Sequence, residues 1–357
     1  MTTLAITASM HILNACDRVY RRRRIAETGR TVRELAMNQT TTAPRGVIEM
    51  DFAPGNLGNK MLQYLAALSL RERLPGFELS NVRIGEWQID LPPIPQLTWH
   101  HRLRYTSNRS AVLDVDAIAA QVARRGTDRV ELNFYSSQVG NLPPVEAARA
   151  HFPLLTQVEG YGADVLLINV RAGEILQAVH PEYTVLPVSF YRQLVAENGL
   201  RPVFLGQLDD SRYVRSLREA FPGAEFVASR GAVHDFSVIA KSRHIVMAVS
   251  TFSWLAGWLS RAERVVMPLS GFMNPLQYAN VDLMPAGDPR FTYYLFPENR
   301  AVVDADIEIA HRALEGRWRE VGHAEVHANR PRPAPIQPQT FADKLRWRVR
   351  DALRRVR

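Results

Sequence analysis

The feature that most constrains this chain is an alternation of apolar runs and helical repeats between residues 163 and 300. ADVLLINVR (163–171) is almost uninterruptedly apolar, as a parallel strand buried on both faces must be. VSFYRQLVAENG (188–199) then spaces its apolar residues as a helix does, and RPVFLG (201–206) returns to a short apolar run. The pattern continues through DSRYVRSLREAF (210–221), AEFVAS (224–229), VHDFSVIAKSR (233–243), HIVMAVS (244–250), TFSWLAGWLSR (251–261) and RVVMPLS (264–270). Strands alternating with helices in this way predict a doubly wound, parallel α/β sheet.

The first half is less regular. RGVIEMDFA (45–53) predicts a strand, PGNLGNK (54–60) a glycine-rich turn, and MLQYLAALSLRERL (61–74) a helix. Gly55 and Gly58 would let backbone N–H groups approach a ligand ahead of that helix. The spacing is not that of a P-loop, because Lys60 is followed by Met61 rather than Ser or Thr. Residues 80–105 are rich in Pro and Trp and predict a loop, and RPRPAPIQPQ (330–339) predicts an extended linker. The divisions expected are a leader (1–44), an N-terminal domain (45–160), a C-terminal domain (161–328), a linker (329–340) and a terminal helix (341–357).

Charge narrows the function classes. The chain has 357 residues, 46% of them hydrophobic, so it can bury a core. Its single cysteine, Cys16, excludes a disulfide scaffold and a multi-cysteine zinc site, and fits a reducing compartment. The net charge of +8 resolves into +4 over residues 1–36, +5 over 341–357 and −1 over the remainder. A nearly neutral body argues against a nucleic-acid groove, so no nucleic-acid partner is expected.

The N-terminal apolar stretch lacks a preceding cation and is followed by Arg21 to Arg24, the reverse of a signal peptide. It reads as a leader ahead of a start at Met37 or Met50. The uncharged run 245–260 is too short to span a bilayer. In the tail, Phe341, Leu345, Val349, Leu353 and Val356 form one helical stripe among arginines, with Trp347 nearby. Such a helix suits an anionic membrane surface; a docked or solvated helix is the alternative. The location expected is cytoplasmic, peripheral at the inner membrane face.

Ligands of open α/β sheets sit beyond the carboxyl ends of the strands. There, Arg171 beside Gly173 could hold a phosphate, and Ser250 and Thr251 could offer hydroxyls and N–H groups at a helix N-terminus. The bland alternatives are a salt bridge for Arg171 and a helix cap for Ser250. Glu174, Asp209, Asp210 and Asp235 are the carboxylates best placed for base or hydrogen-bonding roles. No metal site is expected: His323 and His327 at i, i+4 read as a solvated helix face, and Asp114/Asp116 and Asp304/Asp306 match a common tripeptide.

These motifs, in this order, resemble the bacterial α-1,2-fucosyltransferase family and its wider fucosyltransferase relatives. PGNLGNKMLQYLAALSL (54–70) resembles the family's GGLGNQMFQY block, and INVRAGE (168–174) its HxRRGD block. SFYRQLV, VFLG and LDD (within 189–210) resemble the tyrosine-containing helix, the next strand and its acidic loop. DFSVIAKSRHIVMAVSTFSWLAGWLS (235–260) resembles the block ending in STFSWW, the most specific of the four.

The resemblance implies a GT-B-like fold: two Rossmann-type domains with a nucleotide-sugar donor in the cleft and inversion at the sugar. It implies no cofactor and no metal, the GDP-sugar being a co-substrate, with fucose passing to a polysaccharide or lipid-linked glycan acceptor. By the same likeness Arg171 and Glu174 are the catalytic nominees, Arg171 on the donor phosphate and Glu174 as base. Gly58 and Asn59 would line the cleft, with Asn169 at the family's histidine position. Asp235 would meet the base or ribose, and Ser250, Thr251 and Phe252 would cradle the diphosphate. The sequence departs from the family at Asn169, at Ala172 for the second Arg, at Glu174 for Asp and at Leu255 for the second Trp. Those departures leave open another nucleotide sugar, or a catalytically silent glycan- or nucleotide-binding protein. Region 75–160, which would choose the acceptor, matches no family.

Overall fold

The computed structural model describes residues 44–53, 55–95, 101–106 and 111–339. The leader, with Cys16, and the tail with Trp347 lie outside the described residues, as do Pro54 and His100.

The first layer is a four-stranded, wholly parallel sheet. It is built from β1 (Gly46–Met50), β2 (Phe77–Ser80), β5 (Arg102–Thr106) and β7 (Arg129–Asn133), in the order β2-β1-β7-β5. Helices α1 (Leu57–Arg73) and α2 (Val115–Arg125) pack beside it, and α3 (Val145–His151) follows. β3 (Val82–Ile84) and β4 (Ile89–Leu91) form a hairpin, and β6 (Ala111–Val112) pairs with the late strand β15 (Ala334–Pro335).

Alternation along the strands gives this sheet two unlike faces. Ile48, Met50, Val130, Leu132, Leu103 and Tyr105 are buried on one. Glu49, Arg129, Glu131, Arg102 and Arg104 share the other, where the in-register pairing sets Arg102 beside Arg129 and Arg104 beside Glu131. There Arg129 pairs with Glu49 and Glu131, and Arg102 with Glu131, while Arg104 reaches Asp51 at 3.0 Å.

The second layer has seven strands: β8 (Val165–Val170), β9 (Arg201–Gly206), β10 (Glu225–Ala228), β11 (His244–Val246), β12 (Arg264–Leu269), β13 (Phe291–Leu295) and β14 (Arg319–Val321). Their order is β10-β9-β8-β11-β12-β13-β14, parallel except for β14. Every residue of β8 is buried, as its unbroken apolar run requires. The connecting helices are α4 (Val188–Asn198), α5 (Arg212–Ala220), α6 (Ala232–Lys241) and α7 (Thr251–Trp258). They are followed by α8 (Ile307–Leu314) and α9 (His323–Asn329). The α/β class with parallel sheets expected from the sequence is the one adopted, and strands and helices alternate through the C-terminal half. Counting from β8, the strands run 3-2-1-4-5-6-7, so the order reverses between β8 and β11. That switch point is where such sheets open a crevice.

Several local expectations change. α1 begins at Leu57, four residues earlier than the periodicity predicts, so Gly58 and Asn59 belong to its first turn rather than to a loop. The stretch 80–105 is not all loop: Val82 and Ile84 point inward, fixing a hairpin, and β5 follows. HIVMAVS is a strand only as far as Val246. The proline-rich stretch is extended but pinned, with Ile336 buried and its N–H donating to Val112 O at 2.8 Å. Among the described residues no helix is long and apolar enough to cross a membrane.

Candidate functional site

At the switch point lies a cavity of about 240 Å³, walled by both halves of the chain. Asn56, Leu57 and Gly58 come from the start of α1; Asn169, Val170, Arg171 and Glu174 come from the end of β8 and the turn after it. Ala232 and Asp235 are in the first turn of α6, and Ser250, Thr251 and Phe252 begin α7. Three helices thus open onto one space, each with N–H groups that have no partner within their own helix. The positive ends of their dipoles converge where Arg171 also stands, the one cationic side chain among the lining residues.

The convergence depends on Gly58. A Cβ there would come 2.4 Å from the Phe252 backbone nitrogen and 2.7 Å from Thr251 Oγ1. Without a side chain, α1 leans directly on the first turn of α7, and the Thr251 hydroxyl donates to Asn59 Oδ1 at 3.0 Å. Nearby Phe252 meets Phe236 edge-on at 5.5 Å, and Phe236 meets Trp87 of the first half at 5.3 Å.

Arg171 is mostly buried and donates to Glu174 Oε1 through Nη2 at 2.6 Å and Nε at 3.2 Å. Its guanidinium lies 5.2 Å from the Tyr183 ring centroid. Gln207 Nε2 donates to the other oxygen of Glu174 at 3.1 Å. Burial alone would raise the Glu174 pKa, but the Arg171 hydrogen bond and charge, with help from Gln207 and the backbone, outweigh it and hold the carboxyl below its usual range. A carboxylate stabilised in this way is a weak proton acceptor. Both carboxylate oxygens of Glu174 are thus hydrogen-bonded, one by Arg171 and the other by Gln207.

Three further nominees line the cavity while spending polar atoms on the fold. Ser250 caps α7, its Oγ accepting from Ser253 N at 3.5 Å, which is the bland alternative for this residue. Asn169 Nδ2 donates to Leu205 O across to β9 at 3.0 Å. Asp235 accepts from Ser229 Oγ and, at 3.0 Å, from Arg230 N, so it holds the loop that leads into α6.

The other carboxylates have structural employment. Asp114 caps α2 by accepting from Ala117 N at 2.9 Å, and Asp116 pairs with Arg73. Asp304 accepts from Arg212 N and Tyr213 N at 2.8 and 3.0 Å, Asp209 from Ser211 N at 3.4 Å, and Asp210 pairs with Arg215 at 3.0 Å. His323 and His327 stack at 4.1 Å rather than forming a simple solvated face, and His327 Nε2 lies 3.3 Å from Asp282. Among the described residues no group of three or more His, Cys, Asp or Glu could hold a metal ion.

Sequence reasoning missed Tyr183, Gln207 and Ser229, and a second cavity of about 350 Å³ whose wall includes Asn59. These residues come from loops with no periodicity, and only the fold brings them together.

Fold and site define a class: a two-sheet α/β protein with a cavity at the switch point of its C-terminal sheet, lined by three helix N-termini and Arg171. No protein-family model matches the chain, and no curated protein matches it. It is similar in structure to an E. coli heptosyltransferase, WaaC, with ADP, at 12% identity and a TM-score of 0.40 over 74% of this chain and 98% of that one. A glycosyl transferase of family 9 from Veillonella parvula is similar at 11% identity and a TM-score of 0.41, over 77% of this chain and 99% of that one. A mutant FUT1 of Arabidopsis thaliana in complex with GDP is similar at 9% identity and a TM-score of 0.37, over 63% and 71%.

Proposed function

We propose that this chain is a glycosyltransferase that takes its sugar from a nucleoside diphosphate donor, most specifically fucose from GDP-fucose. The observation that carries the reading is the meeting of three helix N-termini with Arg171 in one cavity at the switch point. Such a site is built for a diphosphate. The resemblance of the 54–70, 168–174 and 235–260 blocks to fucosyltransferases supplies the donor sugar, and a polysaccharide or lipid-linked glycan is the acceptor.

In the reaction, an acceptor hydroxyl oxygen bonds to the anomeric carbon and gives its proton to solvent as the bond from that carbon to the β-phosphate oxygen breaks. Attack opposite the leaving group inverts the centre. Negative charge grows on the departing diphosphate, where Arg171 and the N–H groups of α1, α6 and α7 stabilise it. Glu174 keeps the guanidinium aimed, and Gly58 keeps α1 close enough to contribute. The tail 341–357 would hold the enzyme at an anionic membrane face, beside its acceptor.

Release of nucleoside diphosphate from a panel of GDP- and UDP-sugars tests this. Turnover with GDP-fucose is expected, and Arg171→Ala should lower it about 10²- to 10³-fold, the cost of one preorganised donor to transition-state charge. Turnover with UDP-sugars alone would remove the fucosyl reading. Nucleotide binding without turnover of any donor would leave a silent binder.

A further inference from the structure

The second cavity, of about 350 Å³, adjoins the first, and Thr251 lines both. Its chemistry is opposite. Five aromatic side chains (Phe134, Tyr135, Tyr183, Phe272 and Tyr278) form much of the wall with His180, and among the described residues no lysine, arginine, aspartate or glutamate lines it. The polar groups are neutral ones such as Ser137, Asn59 and Asn280. Tyr183 connects the two spaces: it lines this cavity, stacks on His180 at 4.5 Å, and carries the Arg171 guanidinium 5.2 Å from its ring. Arg171 itself lines only the first cavity.

The geometry points to this cavity as a site for an uncharged pyranose ring of the acceptor glycan. A pyranose presents a C–H face, which packs on aromatic rings, and a rim of hydroxyls, which pair with neutral amides and hydroxyls. A uronate, sulfate or sialyl carboxylate would lose its hydration here and find neither lysine nor arginine among the described lining side chains in exchange. Selection for a neutral acceptor ring is therefore built into the wall, and Arg171 attracts charge only on the donor side. This inference rests on the glycosyltransferase reading for the identity of the ligand as acceptor, but the site's preference for neutral sugar does not need the donor to be right.

The experiment is equilibrium binding to the full chain by saturation-transfer NMR and calorimetry. The probes are GDP, three neutral disaccharides (lactose, maltose and N,N′-diacetylchitobiose) and the anionic digalacturonate. Tyr135 is 47% exposed, so its substitution should leave the fold intact. At least one neutral disaccharide should bind and digalacturonate should not. Tyr135→Ala should weaken that disaccharide about tenfold while Tyr135→Phe keeps it within about threefold, and GDP affinity should be unchanged in both. The inference is overturned if digalacturonate binds better than the neutral sugars, if none of the three binds, or if Tyr135→Ala binds like wild type. Failure of GDP to bind wild-type protein would instead remove the donor reading, and the disaccharide result would stand on its own.

Discussion

The two halves of the molecule use charge in opposite ways. In the four-stranded sheet Glu49, Arg129, Glu131, Arg102 and Arg104 occupy one face and neutralise one another across the register. In the seven-stranded sheet β8 is apolar on both faces and a single arginine, Arg171, stands at its carboxyl end. Three arginines in the first half are thus committed to structure, while one in the second is held by a lone carboxylate beside a cavity. What separates a functional cation from a structural one is whether its partners leave it facing space.

That contrast can be broken by substitution. The largest expected effect is on the first sheet: Arg129→Met leaves Glu131 buried beside fewer cations and Glu49 without its partner, at a cost of about 3 kcal/mol in urea unfolding. GDP affinity should be untouched. Arg171→Ala should show the reverse, with turnover lost and the unfolding midpoint nearly kept. If Arg129→Met instead abolished nucleotide binding without loss of stability, the division between the halves would fail.

Gly58→Ala sharpens the comparison where the halves meet. The new methyl faces backbone rather than a flexible side chain, so relief requires α1 or α7 to shift. A loss of about 1–3 kcal/mol and a weaker GDP affinity are expected together. Stability loss with unchanged GDP binding would show that the contact does not shape the cavity.

The smallest effect concerns Glu174, whose folded pKa is lowered. Its ionised form therefore stabilises the protein at neutral pH, and that contribution fades as the pH falls through the usual glutamate range and below. Glu174→Gln should be less stable than wild type at pH 7, and the gap should close in acid. Were Glu174 the base, the variant would lose turnover nearly completely at every pH; as a positioning residue it should lose only part.

The strands and helices of the second half were legible because burial on both faces leaves unbroken apolar runs such as VLLINV. Of the nine nominated residues, Gly58, Arg171, Glu174, Asp235, Ser250 and Thr251 were legible from the glycine-rich turn and the strand ends and the rest through motif order; the structure gathers eight on one cavity, with Asn59 on the wall of the next. Their division of labour was not. Nothing in the sequence says that Asp235 spends its oxygens on Ser229 and Arg230, or that Ser250 caps its own helix. The start of α1 was misplaced because Gly58 reads as a turn residue, whereas it is glycine for the sake of a neighbour 194 positions away, Phe252. The aromatic cavity escaped notice because its five aromatic side chains come from three stretches far apart in the chain.

The contact at Gly58 has a thermodynamic consequence. Residues 45–339 belong to one compact unit, and part of the cavity wall of one sheet is the helix of the other. Neither half can melt without dismantling the other's pocket. Heat should therefore drive one cooperative transition rather than two, and a bound nucleotide should raise the melting point of both halves alike.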